Sequence, residues 1–249
     1  MPFTGRFIAA DCWMVDLAAR LPPGLRFDVV SCQMAIHYAF ESRHRALQAL
    51  RNAAARLQPG GAFVGTVVDA DVLAAKLRAA APATSFGNAH YRISFDPPSA
   101  AAVLQGSPSP FGLRYTFGLE GAIDDLAEFL VPRKALEELG REAGLRLVAF
   151  DNFHAFFDRQ WARHADLLQR MKVFPPPDFA MPPQEWEVAY LYAAFVFRRA
   201  DDEGNLPQNR LKAVHPGRQV HTRFDPERIL RLDIPEADAP EALREAAGW

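Results

Sequence analysis

Short apolar runs alternate with helical stripes through the first third of the chain. RFIAADC (6–12) and FDVVSCQ (27–33) read as short strands, the second rich in valine, buried through FDVV and preceded by the turn signal LPPG. Between them the pattern supports a weak helix at most. From 43 to 57, Leu47, Leu50, Ala54 and Leu57 recur at helical spacing, and Pro59-Gly60-Gly61 is expected to end that helix with a left-handed glycine cap. AFVGTVV (62–68) reads as a fully buried strand, and Asp69 as the N-cap of a helix over DVLAAKLRAA. Strand and helix in alternation predict a parallel sheet covered on both faces.

The periodicity then changes. YRISF (91–95) and LRYTFGL (113–119) alternate apolar and polar residues between Pro/Ser/Gly-rich segments, which predicts an antiparallel insertion. EFLVPRKALEELGREAGLRLVAF restarts the parallel pattern: Pro132 suits a helix first turn, Leu136 and Leu139 line one face, Gly144 ends the helix and LRLVAF is the next strand. Phe157, Trp161, Leu168 and Met171 predict a helix over 155–172, and EWEVAYLYAAFVFRR (185–199) reads as one long last strand. Residues 1–199 are therefore expected to form one domain of the α/β class. Residues 200–249, charged and proline-punctuated, are expected to be a flexible or loosely packed tail. Arg210, Lys212, Arg218 and Arg223 make the middle of that tail mildly basic, and a solvated tail is preferred over an RNA-contacting one.

Composition narrows the function classes. With 49% apolar residues in 249, the chain can bury one large core, and a net charge of −2 provides no global field to draw in a nucleic-acid duplex. Cys12 and Cys32 are the two cysteines, which cannot make a disulfide framework, and no CxxC or His/Cys cluster suggests a metal. A reducing, intracellular setting is expected. No apolar run is long enough to span a bilayer, and the first residues carry no signal-peptide pattern.

The segment SCQMAIHYAFES (31–42) does not fit an ordinary strand-to-helix loop. Gln33, Met34, His37, Tyr38 and Phe40 stand where such loops are small and polar. In order along the chain, FDVVSCQMAIHYAFES, LRNAAARLQPGGAFVGT, SFGNAHY, FGLRYTFGLEGAIDDLAEFLV, NFHAFF and QEWEVAYLYAAFVF resemble the mRNA cap guanine-N7 methyltransferase family. The likeness runs from about residue 6 to 199. The PGG turn is shared by many methyltransferases, whereas HYxFES together with LEGxxDxxxEFLV is specific. The resemblance implies a Rossmann-like methyltransferase sheet, S-adenosylmethionine as cofactor, and methyl transfer to N7 of the guanosine cap at the 5′ end of mRNA. It further implies a nuclear, RNA-processing protein, with a capping-machinery partner or activating subunit as a candidate, and no metal or membrane.

That chemistry accounts for a missing signature. The N7 lone pair attacks the sulfonium methyl in line and no proton has to leave, so no general base and no catalytic triad are needed. Alignment and electrostatics suffice. Guanine presents N–H donors on its Watson–Crick edge, which a carboxylate accepts, while rings grip its faces. The resemblance assigns His37 and Tyr38 to the cap guanine, Glu128 to its edge, and Tyr192 and Met34 to the pocket wall. It assigns Asp11 to the cofactor's adenine amino group and Gln33 to its methionine end. Met34 stands where the family usually has an aromatic residue and Val68 where it often has proline.

Each residue has a plainer reading. His37 and Tyr38 could be packing, Glu128 a solvated helix residue, Tyr192 core, and Asp11 a strand-end turn. Cys12, Cys32, His90 and His154 read as packing or surface residues. No glycine-rich cofactor loop precedes Asp11, and Gly60-Gly61 follow a helix pattern rather than a strand. Two strands expected between RFIAADC and FDVVSCQ are missing, so RFIAADC is expected to lack a partner and FDVVSCQ to expose an apolar edge. The chain is thus expected to begin at an internal methionine of a longer protein. Two alternatives stay open: a non-catalytic cap-binding module or split-enzyme fragment, and another RNA or small-molecule methyltransferase of the same fold.

Overall fold

The computed structural model describes residues 7–107, 109–172, 181–200 and 229–231. Apart from 229–231, the predicted tail over 200–249 lies outside the described residues beyond Ala200.

A four-stranded sheet carries the first half of the architecture. It is built from β2 (Phe27–Gln33), β3 (Leu57–Val68), β8 (Leu145–Asn152) and β9 (Tyr192–Arg199), in the order β2-β3-β9-β8. β2 runs parallel to β3, while β9 is antiparallel to both β3 and β8. Helices α1 (Arg43–Ala55) and α4 (Arg133–Glu142) cover it, burying Leu47, Leu50, Leu136 and Leu139 against Leu57, Phe63, Phe195 and Phe197. Each such large side chain contributes about 1.5–3 kcal/mol on leaving water, so the stripes legible in the sequence hold these helices down. Gly65 and Gly140 have packing reasons: a methyl at either would run into the ring of Phe195 or Phe197.

The second half is an antiparallel meander of β4 (Ser85–Gly87), β5 (Tyr91–Phe95), β6 (Arg114–Leu119) and β7 (Ile123–Phe129). This is the predicted insertion. Helix α2 (Ala70–Ala80) packs Leu73 and Leu77 into its own core with Ile93, Phe117 and Leu191. Asp69 caps α2 as expected, accepting from the backbone N–H of Asp71 and Val72. A short α3 (Pro97–Gln105) links β5 to β6.

Four expectations are corrected. The first helix ends at Ala55, and Gly60 lies inside β3 with φ 76° rather than capping a helix. Pairing wins there, because Leu57 is fully buried opposite Phe27 and the Arg56 carbonyl accepts from Phe27 N–H. The helix over 155–172 is three short pieces, α5 (Phe153–Gln160), a 3₁₀ turn at Trp161–His164 and α6 (Ala165–Arg170), none with a buried residue. The long last strand is half helix: α7 (Pro183–Tyr190) begins at a proline suited to a first turn, and only Tyr192–Arg199 pairs as β9. Lastly, β1 (Phe7–Ala9) does have a partner, running parallel to β10 (Ile229–Arg231).

The edge of β2 matches its expectation. Among the described strands β2 pairs with β3 alone, leaving Phe27 36% and Val29 47% exposed, so it is not the buried strand its composition suggested.

Candidate functional site

Two local structures converge on one buried carboxylate. Directly after β2, Ile36–Glu41 coils into a 3₁₀ turn that buries Ile36, His37, Ala39 and Phe40. This turn packs on β7. Glu128, on β7, is 2% exposed and His37 is 3% exposed, with His37 Nε2 3.4 Å from Glu128 Oε1. The geometry is too poor for a hydrogen bond, and both ring nitrogens of His37 lack a hydrogen-bond partner among the described residues. Such nitrogens are costly in a dry site unless a ligand completes them.

Rings surround the same carboxylate. Tyr38 lies edge-on to His37 with centroids 4.2 Å apart. Tyr192 opens β9 opposite Val68 and is braced by Phe117 and Phe153, with centroids at 6.3 and 5.8 Å. Its backbone approach is set one residue earlier, where the Leu191 carbonyl accepts from Asp69 N–H at 2.7 Å. Asn152 completes that junction, donating to Asp69 Oδ2 at 3.1 Å and to the Tyr190 carbonyl at 2.8 Å. The fourth ring is Tyr115, whose hydroxyl donates to Glu128 Oε2 at 2.6 Å.

Burial shapes the charges. It pushes the Glu128 carboxyl up to about 7, against the Tyr115 hydroxyl, which pulls it down. His37 is driven down to about 4 by burial, so its ring is neutral at physiological pH. Tyr192 rises to about 12 through burial and then the Glu128 charge, and Tyr38 is raised by the same two causes. The result is a weakly charged, ring-lined acceptor whose carboxylate is poised near neutrality.

The other predicted residues sit differently. Met34 adopts a left-handed backbone with φ 48° and is 39% exposed at the strand end, with its N–H donated to Thr66. Gln33 is held through Thr66 Oγ1 and Ser31 Oγ, at 2.9 Å each. Asp11 is buried and spoken for: Oδ1 accepts from Trp13 N–H at 2.9 Å and Oδ2 pairs with Arg45 at 3.0 Å. The plainer reading of Asp11 as a strand-end turn residue therefore describes its present contacts. The two strand ends are nonetheless close: burial first, and then the neighbouring Cys12, push the Cys32 thiol up to about 11.

These residues supply only a piece of a cradle for S-adenosylmethionine. Gln33 and the backbone around Met34 are open at a strand end, but the Asp11 carboxylate is closed off, and no described glycine occupies a turn from a strand into a helix near them. No group of three His, Cys, Asp or Glu side chains among the described residues could hold a metal ion. No helix among them is long and apolar enough to cross a membrane. A cleft of about 600 Å³ does open elsewhere, between the hairpin ends of the meander near Asn88, Arg92, Glu120 and Asp124, and shares no residue with the Glu128 cluster.

Sequence reasoning missed Tyr115. The register hid it: the turn pairs Leu119 with Ile123, which continued unbroken would set Tyr115 opposite Ala127, and a bulge beside Asp125, at φ 46°, shifts the pairing so that Tyr115 meets Glu128 on one face.

Comparison with known proteins gives a consistent result. Residues 1–200 match the model of the mRNA (guanine-N(7))-methyltransferase domain. The mRNA cap guanine-N(7) methyltransferase 1 of Oryza sativa is 38% identical over 229 residues, covering 90% of this chain and 60% of that protein. The corresponding enzymes of Drosophila melanogaster and Saccharomyces cerevisiae are 42% and 34% identical, over 68% and 77% of this chain and 38% and 47% of their own. The chain thus spans 60% or less of the length of these relatives.

Proposed function

The chain belongs to the mRNA (guanine-N(7))-methyltransferase family, and from that premise we propose that it binds the terminal guanine of capped mRNA in the Glu128 cluster for methylation at N7. One observation carries this reading: a buried carboxylate and an imidazole with no hydrogen-bond partner among the described residues meet inside a ring of tyrosines. Guanine offers what that set lacks. Its N1–H and exocyclic amine donate to Glu128, and its flat faces pack on Tyr38 and Tyr192. Adenine presents an acceptor at N1, which would face the carboxylate unfavourably, so the same group selects the base.

The residues act by holding rather than by proton removal. Glu128 fixes the in-plane orientation of the base, and the rings fix its tilt, so that the N7 edge points out of the pocket. The attacking lone pair on N7 is unprotonated in guanine at neutral pH, and no side chain has to take a proton. S-adenosylmethionine, when bound, supplies an electrophilic sulfonium methyl. After transfer the purine is cationic, and the tyrosine faces and Glu128 favour that charge. Gln33 is the residue proposed for the methionine end of the cofactor and Asp11 for its adenine; the latter requires the Arg45 pair to open. With this substrate the protein works in the nucleus, beside the machinery that builds the cap.

A second reading is favoured by the sealed Asp11 and the bare β2 edge: the chain supplies the guanine pocket, and residues outside those described complete the cofactor side. Titration calorimetry with GpppG and ApppA, followed by transfer of labelled methyl from S-adenosylmethionine to capped RNA, tests both. Saturable binding of GpppG alone supports the pocket, and turnover then separates the enzyme from the binding component. Equal binding of the two dinucleotides, or of neither, overturns the proposal.

A further inference from the structure

The guanine acceptor itself needs support. Glu128 lies almost fully out of water, where an isolated carboxylate reverts to its neutral acid. The groups that face it are Tyr115 from β6, His37 and Tyr38 from the 3₁₀ turn, and Tyr192 from β9. None of these is a cation at neutral pH. A protonated Glu128 would present an O–H toward the base and lose much of its preference for N1–H.

We propose that Tyr115 is a positioning residue whose phenol holds Glu128 as an oriented, anionic acceptor for the guanine edge. The inference rests on the reading of Glu128 as the guanine acceptor. Four observations carry it. Tyr115 and Glu128 are direct cross-strand partners of β6 and β7, so their side chains rise from the same face within reach of each other. The contact between them is 2.6 Å long, in the range of a hydrogen bond to a charged oxygen. The Tyr115 ring is fixed: it is 1% exposed within the meander core and lies against Phe95 with centroids 5.6 Å apart. Finally, among the described residues this hydroxyl is the contact that favours the ionised carboxyl, while burial and then Glu128 itself keep the phenol protonated as a donor.

The consequence is a division of labour within one carboxylate. Oε2 is tied down by Tyr115, which sets the plane of the group, and Oε1 is left facing His37 and the space a base would enter. A residue acting only as core filler would not affect the ionisation of Glu128, so that ionisation is the readout.

The test uses the full 249-residue chain with its glutamate carboxyl carbons isotopically labelled, titrated by NMR. Loss of one resonance in Glu128→Gln assigns the signal. Tyr115→Phe should move the Glu128 midpoint upward by about one pH unit, the size expected for losing a hydrogen bond to a charged acceptor. It should also weaken GpppG about fivefold at pH 7, with recovery at higher pH, and add nothing in a Glu128→Gln background. A folded Tyr115→Phe protein with an unmoved midpoint overturns the proposal. If that variant does not fold, fluorotyrosine inserted at 115 keeps the ring and strengthens donation. The midpoint should then fall, and a midpoint that stays or rises overturns the proposal. Wild-type protein that ignores GpppG sinks the guanine reading together with this inference, whereas wild type that binds while Tyr115→Phe binds identically at every pH sinks the Tyr115 role alone.

Discussion

Replacing Glu128 by Gln should make the protein worse at binding guanine and better at staying folded. The substitution keeps the shape and leaves the Tyr115 hydroxyl an oxygen to donate to. It removes the charge that accepts from the base and turns one acceptor into an N–H donor facing another donor. Hydrogen bonds to a charged group are worth about 1.5–3 kcal/mol each, so losing most of one and introducing a clash costs about 3 kcal/mol, on the order of a hundredfold in Kd. The stability effect has the opposite sign. Burial pushes the folded Glu128 carboxyl up to about 7 from its ordinary 4.5. The folded state therefore holds its proton where the unfolded chain has lost it, and the stabilisation present below the lower value is lost as pH rises through the upper one. At 1.36 kcal/mol per unit this amounts to about 3 kcal/mol. Gln carries no such penalty, so the variant should match wild type in acid and exceed it above neutrality, by several degrees in Tm. Thermal melts across this window, paired with GpppG titrations, measure both halves. A variant that binds GpppG as wild type does, or whose stability advantage does not grow with pH, would refute the reasoning.

Two further outcomes follow from the packing. Gly65→Ala puts a methyl into the Phe195 ring and the Cys32 carbonyl, both held by the sheet, and should cost about 1–3 kcal/mol or prevent folding; an unchanged denaturant midpoint would contradict it. Asp11→Asn keeps the turn acceptor for Trp13 but leaves the part-buried Arg45 with Glu41 as its carboxylate partner, and should lower stability by about 1–2 kcal/mol in chemical denaturation. A variant of unchanged stability with weakened cofactor affinity would instead mean that Asp11 is free to serve the adenine.

What was legible in the sequence was local or periodic. The α1 and α4 stripes, the β3 run and the Asp69 cap each declare themselves within a dozen residues, and the alternation in YRISF and LRYTFGL announces the meander. The resemblance brought His37, Tyr38, Glu128 and Tyr192 together from three distant segments, and the fold does gather them. Glu128 taken alone would have been misread as a solvated helix residue, because DDLAEFLV carries no strand alternation; pairing with β6 makes it a strand. Gly60 looked like a helix cap until the Phe27–Leu57 pairing drew the chain into β3 early. The Asp11–Arg45 pair joins residues 34 apart and leaves no trace in local pattern. EWEVAY reads as strand, and its place in α7 is tied down by contacts of Glu187 with Lys76, Asn88 and Tyr91 that no local pattern shows.

In the proposed site, guanine sits between Glu128, His37, Tyr38 and Tyr192. Intermolecular NOEs from bound GpppG test it most directly. The guanine protons should show contacts to the rings of Tyr38 and Tyr192, with a protected N1 imino proton that disappears in Glu128→Gln. Contacts to His90 or Tyr91 beside the outer cleft, with no guanine contact to Tyr38 or Tyr192, would contradict it.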